Sequence, residues 1–219
     1  MWDTVIDLYY RVLGFQYCLF IEKISLLNKI NESVLFQNYR LVGGTALALI
    51  HGHRKSINLD FFGNEKIDTE DLLTFLQSIG IVREFKTSKK IDSLFLNEVK
   101  INIVFYPYEW IDNPLVEDNL RLASSKEIAA MKVAAIINRG SKKDFIDLNE
   151  LLKIFTLNQI LDFYVQKFSD SSLFFALKSI IFFDDADEQE MPFMFHNTSW
   201  QTMKNNIKKA LAAYILPGG

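Results

Sequence analysis

Apolar positions recur at helical spacing over residues 4–13 and 16–29, on either side of Gly14, and Asn31-Glu32-Ser33 closes the run. The chain is therefore expected to open on two helices. The period then shortens. YRLV (39–42) reads as a strand, GTALALIHG (44–52) as a helix and INLDFF (57–62) as a second strand. DTEDLLTFLQSIG (68–80) returns to helical spacing, with Asp68 or Thr69 as N-cap and Gly80 as the stop. Three further strand patterns follow: IVREFK (81–86), DSLFLN (92–97) and VKINIVFYPY (99–108). Their short spacings favour antiparallel pairing, and Pro107 ends the last because it has no N–H for a ladder. From about Glu127 every long pattern is helical, over 127–138, 143–155, 157–168, 171–183 and 199–215.

Strands interleaved with helices, then a run of helices, predict an α+β (mixed α/β) fold. A small mixed sheet with flanking helices is expected within 1–122 and a helical C-terminal domain over 123–219. The chain has 219 residues, 49% of them hydrophobic, enough to bury a full core. Its 19 Phe and 8 Tyr are spread among charges, which is the distribution of core filling rather than base stacking. The net charge of −3 supplies no global basic field and leaves only a local basic groove for nucleic acid. Pairs such as Lys89-Lys90, Lys142-Lys143 and Lys208-Lys209 read as surface solvation with some capacity to hold RNA. The single cysteine, Cys18, lies in an apolar run and reads as a buried side chain in a reducing, cytoplasmic compartment. Acids at the start, MWDTVIDLYY, argue against a secretory signal, and no apolar run is long enough for a membrane span. DDADEQE (184–190) reads as a solvated loop.

Candidate chemistry concentrates at residues 43–60. Gly43 and Gly44 stand between a strand and a helix, where backbone N–H groups and the positive helix end suit a phosphate, although a tight connection needs the same residues. Asn58 and Asp60, two apart on a strand, are expected to share a face beside Ser56. Asn102 interrupts the apolar run of 99–106 and must either satisfy its amide or serve a site. Two-metal phosphoryl transfer needs about three carboxylates at such positions.

Four segments occur in order across residues 39–152: GGTALAL, HRKSINLDFF, VKINIVFYPY and IAAMKVAAIINRGSKKDFIDLNELL. They resemble the AbiEii toxin-like branch of the nucleotidyltransferase superfamily, with its GG or GS turn, an acidic pair written S-x-D-L-D-F-F, a later strand carboxylate, and A-M-K with R-G and R-D-F-x-D-L. The resemblance implies a nucleotidyltransferase-fold domain that binds Mg²⁺ and a nucleoside triphosphate. It implies transfer of a nucleotidyl group to an RNA (such as tRNA) or protein acceptor. It further implies the toxin half of a bacterial toxin–antitoxin or phage-defence pair, with a cognate antitoxin. Carried over residue by residue, it places Gly43, Gly44, Thr45, Arg54, Ser56, Lys132 and Arg139 at the nucleotide. Asp60, Asn58 and Asn102 fall at the metal, with Lys132 and Asp144 among the catalytic positions. Two residues depart from the pattern: Asn58 stands at the first aspartate and Asn102 at the later carboxylate. Each removes a negative charge from a site for two dications, where a unit pair a few ångströms apart is worth about 4 kcal/mol at an effective dielectric near 20. Weak metal binding is the expectation. A catalytically inactive member of the fold, acting by nucleotide or partner binding, is the alternative.

Lys132 and Arg139, seven apart, share a helix face and suit triphosphate oxygens together. The structural alternative exposes the Lys132 head, leaves Arg139 decorating a last turn, and makes Asp144 a cap after Gly140. Phe145, Leu148, Leu152 and Phe155 are expected to form the apolar stripe of their helix, with Asp144 and Asp147 nearer the polar side. His51 and His53 in a turn, and remote His196, lack a cysteine partner and read as surface histidines. A third reading is an interaction protein whose helices over 171–215 expose an apolar patch.

Overall fold

The computed structural model describes residues 17–117 and 119–216, with side chains from residue 23 onward. The expected helix over 4–13 and the environment of Cys18 lie outside these. Seven strands form one mixed sheet in the order β3-β4-β5-β2-β1-β7-β6, numbered along the chain: Tyr39–Val42, Leu59–Gly63, Val82–Thr87, Ile91–Leu96, Val99–Phe105, Leu115–Glu117 and Leu120–Leu122. By packing, the chain divides into two units. One gathers the chain up to Leu41 with Ile57–Pro107 and Val116–Leu122; the other gathers Val42–Ser56, Tyr108–Leu115 and everything from Ala123.

In the first unit the alternation of β4 and β5 explains the sheet. Leu94, Leu96, Ile101 and Ile103 are buried on one face together with Leu59 and Phe61 of β2. Helix α1 (Tyr17–Glu32) leads into a 3₁₀ turn (Val34–Phe36), whose Phe36 ring lies 5.3 Å from Phe61 and 6.0 Å from Phe75 of α3 (Thr69–Ile79). Asp68 caps α3 by accepting from the Glu70 and Asp71 amides, and Gly80 ends it. Strands β3, β4 and β5 pair antiparallel as their spacing predicts, while β2 joins β5 in parallel. Two differences stand out. Strand β2 starts at Leu59, so Ile57 and Asn58 precede it and are exposed. Strands β6 and β7, three residues each, are too short to show a period; Arg121 anchors β7 by donating to the Asn31 and Phe36 carbonyls at 2.6 and 3.1 Å.

The second unit is helical: α2 (Gly43–His51), α4 (Ser125–Asn138), α5 (Lys142–Leu151), α6 (Leu157–Lys167), α7 (Leu173–Ile180), α8 (Asp184–Asp187) and α9 (Trp200–Ile215). Helix α4 packs against α2, α5, α6 and α7, and α9 packs against α5 and α6. Ser124, Thr156 and Ser199 cap their helices, Thr156 in a reciprocal capping box with Gln159. The buried Lys167–Glu127 ion pair ties the 108–115 segment down: Lys167 also donates to the Glu109 carbonyl at 2.8 Å, and Glu127 accepts from the Ile111 amide. DDADEQE is not a plain solvated loop. It contains α8, and Asp187 accepts from Trp200 and Lys204 at 2.5 and 2.8 Å. Phe174, Phe175, Ile181 and Phe182 are exposed. No described helix is long and apolar enough to cross a membrane.

Candidate functional site

The parallel register sets Asp60 of β2 opposite Asn102 of β5, and the antiparallel register sets Ser93 of β4 opposite the same Asn102. All three are half-buried, on the sheet face opposite the apolar core. Asn102 satisfies its amide within this row: Nδ2 donates to Asp60 Oδ1 at 2.7 Å, and Oδ1 accepts from the Ser93 hydroxyl at 2.8 Å. Asp60 Oδ2 keeps no hydrogen bond among the described residues and is the row's one charged ligand oxygen. The donor set fits a single cation shared with a triphosphate, because Mg²⁺ takes one or two carboxylates plus phosphate oxygens. It does not fit a pair of protein-caged dications, and no group of three His, Cys, Asp or Glu gathers among the described residues. Asn58 lies outside β2, so strand alternation does not place it beside Asp60.

In the second unit Gly43 takes φ +70°, a left-handed conformation that favours glycine, and opens α2. Val42 at the N-cap makes no side-chain cap hydrogen bond to the first turn of α2, where the Gly43 and Gly44 amides suit an anion. Gly44 is needed for a different reason: a Cβ there would lie 2.1 Å from Arg54 Nη2. Thr45 donates to the Ser56 hydroxyl at 2.9 Å.

Arg54 belongs to a buried ion-pair network that corrects several expectations. Its guanidinium holds Asp147 in a two-pronged pair, Nε to Oδ1 at 2.7 Å and Nη2 to Oδ2 at 2.8 Å. His53 Nε2 lies 2.7 Å from Asp147 Oδ1, and Lys132 Nζ lies 2.6 Å from Oδ2 and 3.0 Å from Asp144 Oδ1. Arg139 and Ser141 complete the shell of Asp144, at 2.9 and 2.6 Å from its Oδ2. Asp144 and Asp147 are therefore buried, not on a polar face, since α5 turns its carboxylates to three cations. Asp144 is not a cap; Ser141 donates to its carboxylate. Lys132 does not expose its head. His53 is buried and His51 half-buried, so neither is a surface histidine, while His196 is exposed. Burial pushes the His51 pKa down. Burial alone would raise the Asp144 carboxyl, but the Arg139 hydrogen bonds, the Lys132 charge and the Ser141 hydroxyl outweigh it and hold its pKa at about 2. Asp147 is lowered further, burial being overcome by Lys132, Arg54 and His53. Arg139 alone keeps a largely open side chain, 66% exposed.

Asp147, His53 and Ser141 are the network residues that the sequence did not single out as site residues. The signal for Asp147 was its position three after Asp144, which keeps both on one side of α5. Nothing local marked His53.

The model of the family described as nucleotidyl transferase AbiEii toxin, type IV toxin–antitoxin system, matches residues 25–214. An uncharacterized protein of Aquifex aeolicus strain VF5 is 28% identical over 200 residues, 89% of this chain and 96% of that protein. Among solved structures, the nucleotidyltransferase toxin MenT4 from Mycobacterium tuberculosis H37Rv aligns with TM-score 0.58 and 15% identity, covering 97% of this chain and 88% of that one. A candidate nucleotidyltransferase from H. pylori aligns with TM-score 0.58 and 17% identity, covering 87% and 90%. At these identities the structural likeness establishes the shared fold.

Proposed function

The chain belongs to the AbiEii nucleotidyl transferase toxin family of type IV toxin–antitoxin systems, and on that premise we propose that it transfers a nucleotidyl group from a nucleoside triphosphate to an acceptor hydroxyl, with an antitoxin as its neutralising partner. The bond formed joins the acceptor oxygen to the α-phosphorus; the bond broken releases pyrophosphate, and the acceptor proton leaves to solvent. The observation that carries the reading is Asp60, whose Oδ2 is the open charged oxygen of a polar row otherwise closed by Asn102 and Ser93. Asp60 would hold Mg²⁺ that enters with the triphosphate, and the ion would neutralise phosphate charge. Within the second unit taken by itself, the Gly43 and Gly44 amides and the exposed guanidinium of Arg139 are each suited to a phosphate oxygen. Arg54 and Lys132, committed to Asp147 and Asp144, act as positioning residues in this scheme, and Ser56 acts through Thr45.

The amide of Asn102 supports a second reading. It already compensates Asp60 without a cation, which suits a fold relative that binds nucleotide and transfers nothing. Incubating the folded protein with each labelled triphosphate, Mg²⁺ and total RNA or protein separates the two. Transfer of label, lost in Asp60→Asn, is the expected result. Nucleotide binding without any transfer selects the second reading, and neither binding nor transfer contradicts both.

A further inference from the structure

The row that holds Asp60 continues to the sheet edge. Lys86 of β3 pairs with Ser93, Ser93 with Asn102, and Asn102 with Asp60, so four strands present one line of polar side chains. With strands about 4.8 Å apart, that line spans about 14 Å. Beside it runs a second row: Arg83 pairs with Phe95, and Phe95 with Lys100. Arg83 and Lys86, three apart in sequence, reach the same face because β3 is irregular between them, where Glu84 takes φ +50°. Phe95 is half-buried, while Lys86, Lys100 and the turn residues Lys89 and Lys90 are exposed. None of these four lysines makes an ion pair among the described residues. Of the hairpin's acids, Glu98 is taken by Arg83 at 2.5 Å, Asp92 is buried on the opposite, core face against Thr87, and Glu84 is exposed. The hairpin is thus locally cationic in a chain of net charge −3.

We propose that the Lys86–Ser93–Asn102 and Arg83–Phe95–Lys100 rows of β3, β4 and β5 form the acceptor-docking surface and that the acceptor is single-stranded RNA. The inference rests on the transfer reading above, since it supplies that reaction with its acceptor. Lysine ammoniums on a flat sheet track a phosphate backbone, and an aromatic ring set between Arg83 and Lys100 gives a base a face on which to stack. An acidic protein would use the lysines but has no use for the ring. The first row crosses the strands to Asp60 and the second lies beside it, ending at Lys100 on the strand that carries Asn102, so a docked strand would bring an end toward the carboxylate that the transfer reading assigns to the cation.

The test is fluorescence anisotropy of the full chain with a fluorescein-labelled twelve-nucleotide single-stranded RNA, without nucleotide, across a salt series. Lys86→Glu/Lys100→Glu is expected to weaken binding at least about tenfold and to flatten the salt slope by more than one unit. Phe95→Leu, which keeps apolar volume, is expected to lose about fivefold or more with the salt slope unchanged. The control Lys143→Glu/Lys209→Glu, in α5 and α9, is expected to bind as the parent does, and all variants must keep the parent's thermal transition. Unchanged affinity in Lys86→Glu/Lys100→Glu, an equal loss in the control, or tighter binding of labelled polyglutamate than of RNA overturns the proposal. Asp60→Asn separates the two ideas. If it abolishes transfer yet binds RNA normally, both stand; if the parent binds RNA through these rows but never transfers, the transfer reading alone fails.

Discussion

Asp60 and Asp147 are both aspartates of the matched motifs, and their surroundings give them opposite roles. Asp60 stands half-buried beside a neutral amide, with one oxygen open. Asp147 is fully buried, with both oxygens engaged by Arg54, His53 and Lys132. A carboxylate with spare oxygen and no cation is available to a ligand. One saturated by cations holds its own helices together, and the same count of charges in a motif does not tell these apart.

Removing the saturated carboxylate is the strongest way to break this contrast. Asp147→Ala strands the buried Arg54 guanidinium, while Lys132 keeps Asp144, and is expected to cost about 3–5 kcal/mol in urea denaturation. A loss below about 1 kcal/mol would place Asp147 with Asp60. Next in size is the acid sensitivity of the buried network. The Asp144 pKa is about 2 in the folded chain against 3.8 ordinarily, so its contribution is present above about pH 4 and lost as pH falls through 2. Asp144→Asn should remove about 2 kcal/mol of that dependence between pH 4 and 2. An acid limb unchanged in Asp144→Asn contradicts the contrast. The smallest effect sharpens the other side. Asn102→Asp adds a second carboxylate opposite Asp60 and should tighten Mg²⁺ binding by about tenfold in calorimetry, while lowering stability in chelator through like-charge repulsion. No gain in affinity would mean that Asn102 does not limit the cation.

Much of the architecture was legible because it repeats: the period-two runs of β4 and β5 and most helical runs after Glu127 appear where the spacing puts them, whereas the expected run over 143–155 ends at Leu151, leaving Leu152 and Phe155 outside the helix. The short strands β6 and β7 were not, since three residues carry no period and their places are set by tertiary anchors such as Arg121. At the site, the polar interruption at Asn102 was readable and is explained by Asp60 and Ser93. The glycine pair was only half readable: Gly43 is explained by its backbone conformation, but Gly44 is also required by Arg54, a residue ten positions away. The burial of Asp144 and Asp147 was hidden because their compensating cations come from three different segments, at Arg54, Lys132 and Arg139. No local pattern announces such a convergence.

The account centres on Asp60 as the one charged ligand of a cation that comes with the nucleotide. Calorimetric titration of Mg²⁺ into the parent and into Asp60→Asn, each with and without a non-hydrolysable triphosphate, measures this directly. The parent should bind Mg²⁺ weakly alone and at least about tenfold more tightly with the triphosphate, and Asp60→Asn should lose that gain. Equal gains in the two proteins would contradict the assignment.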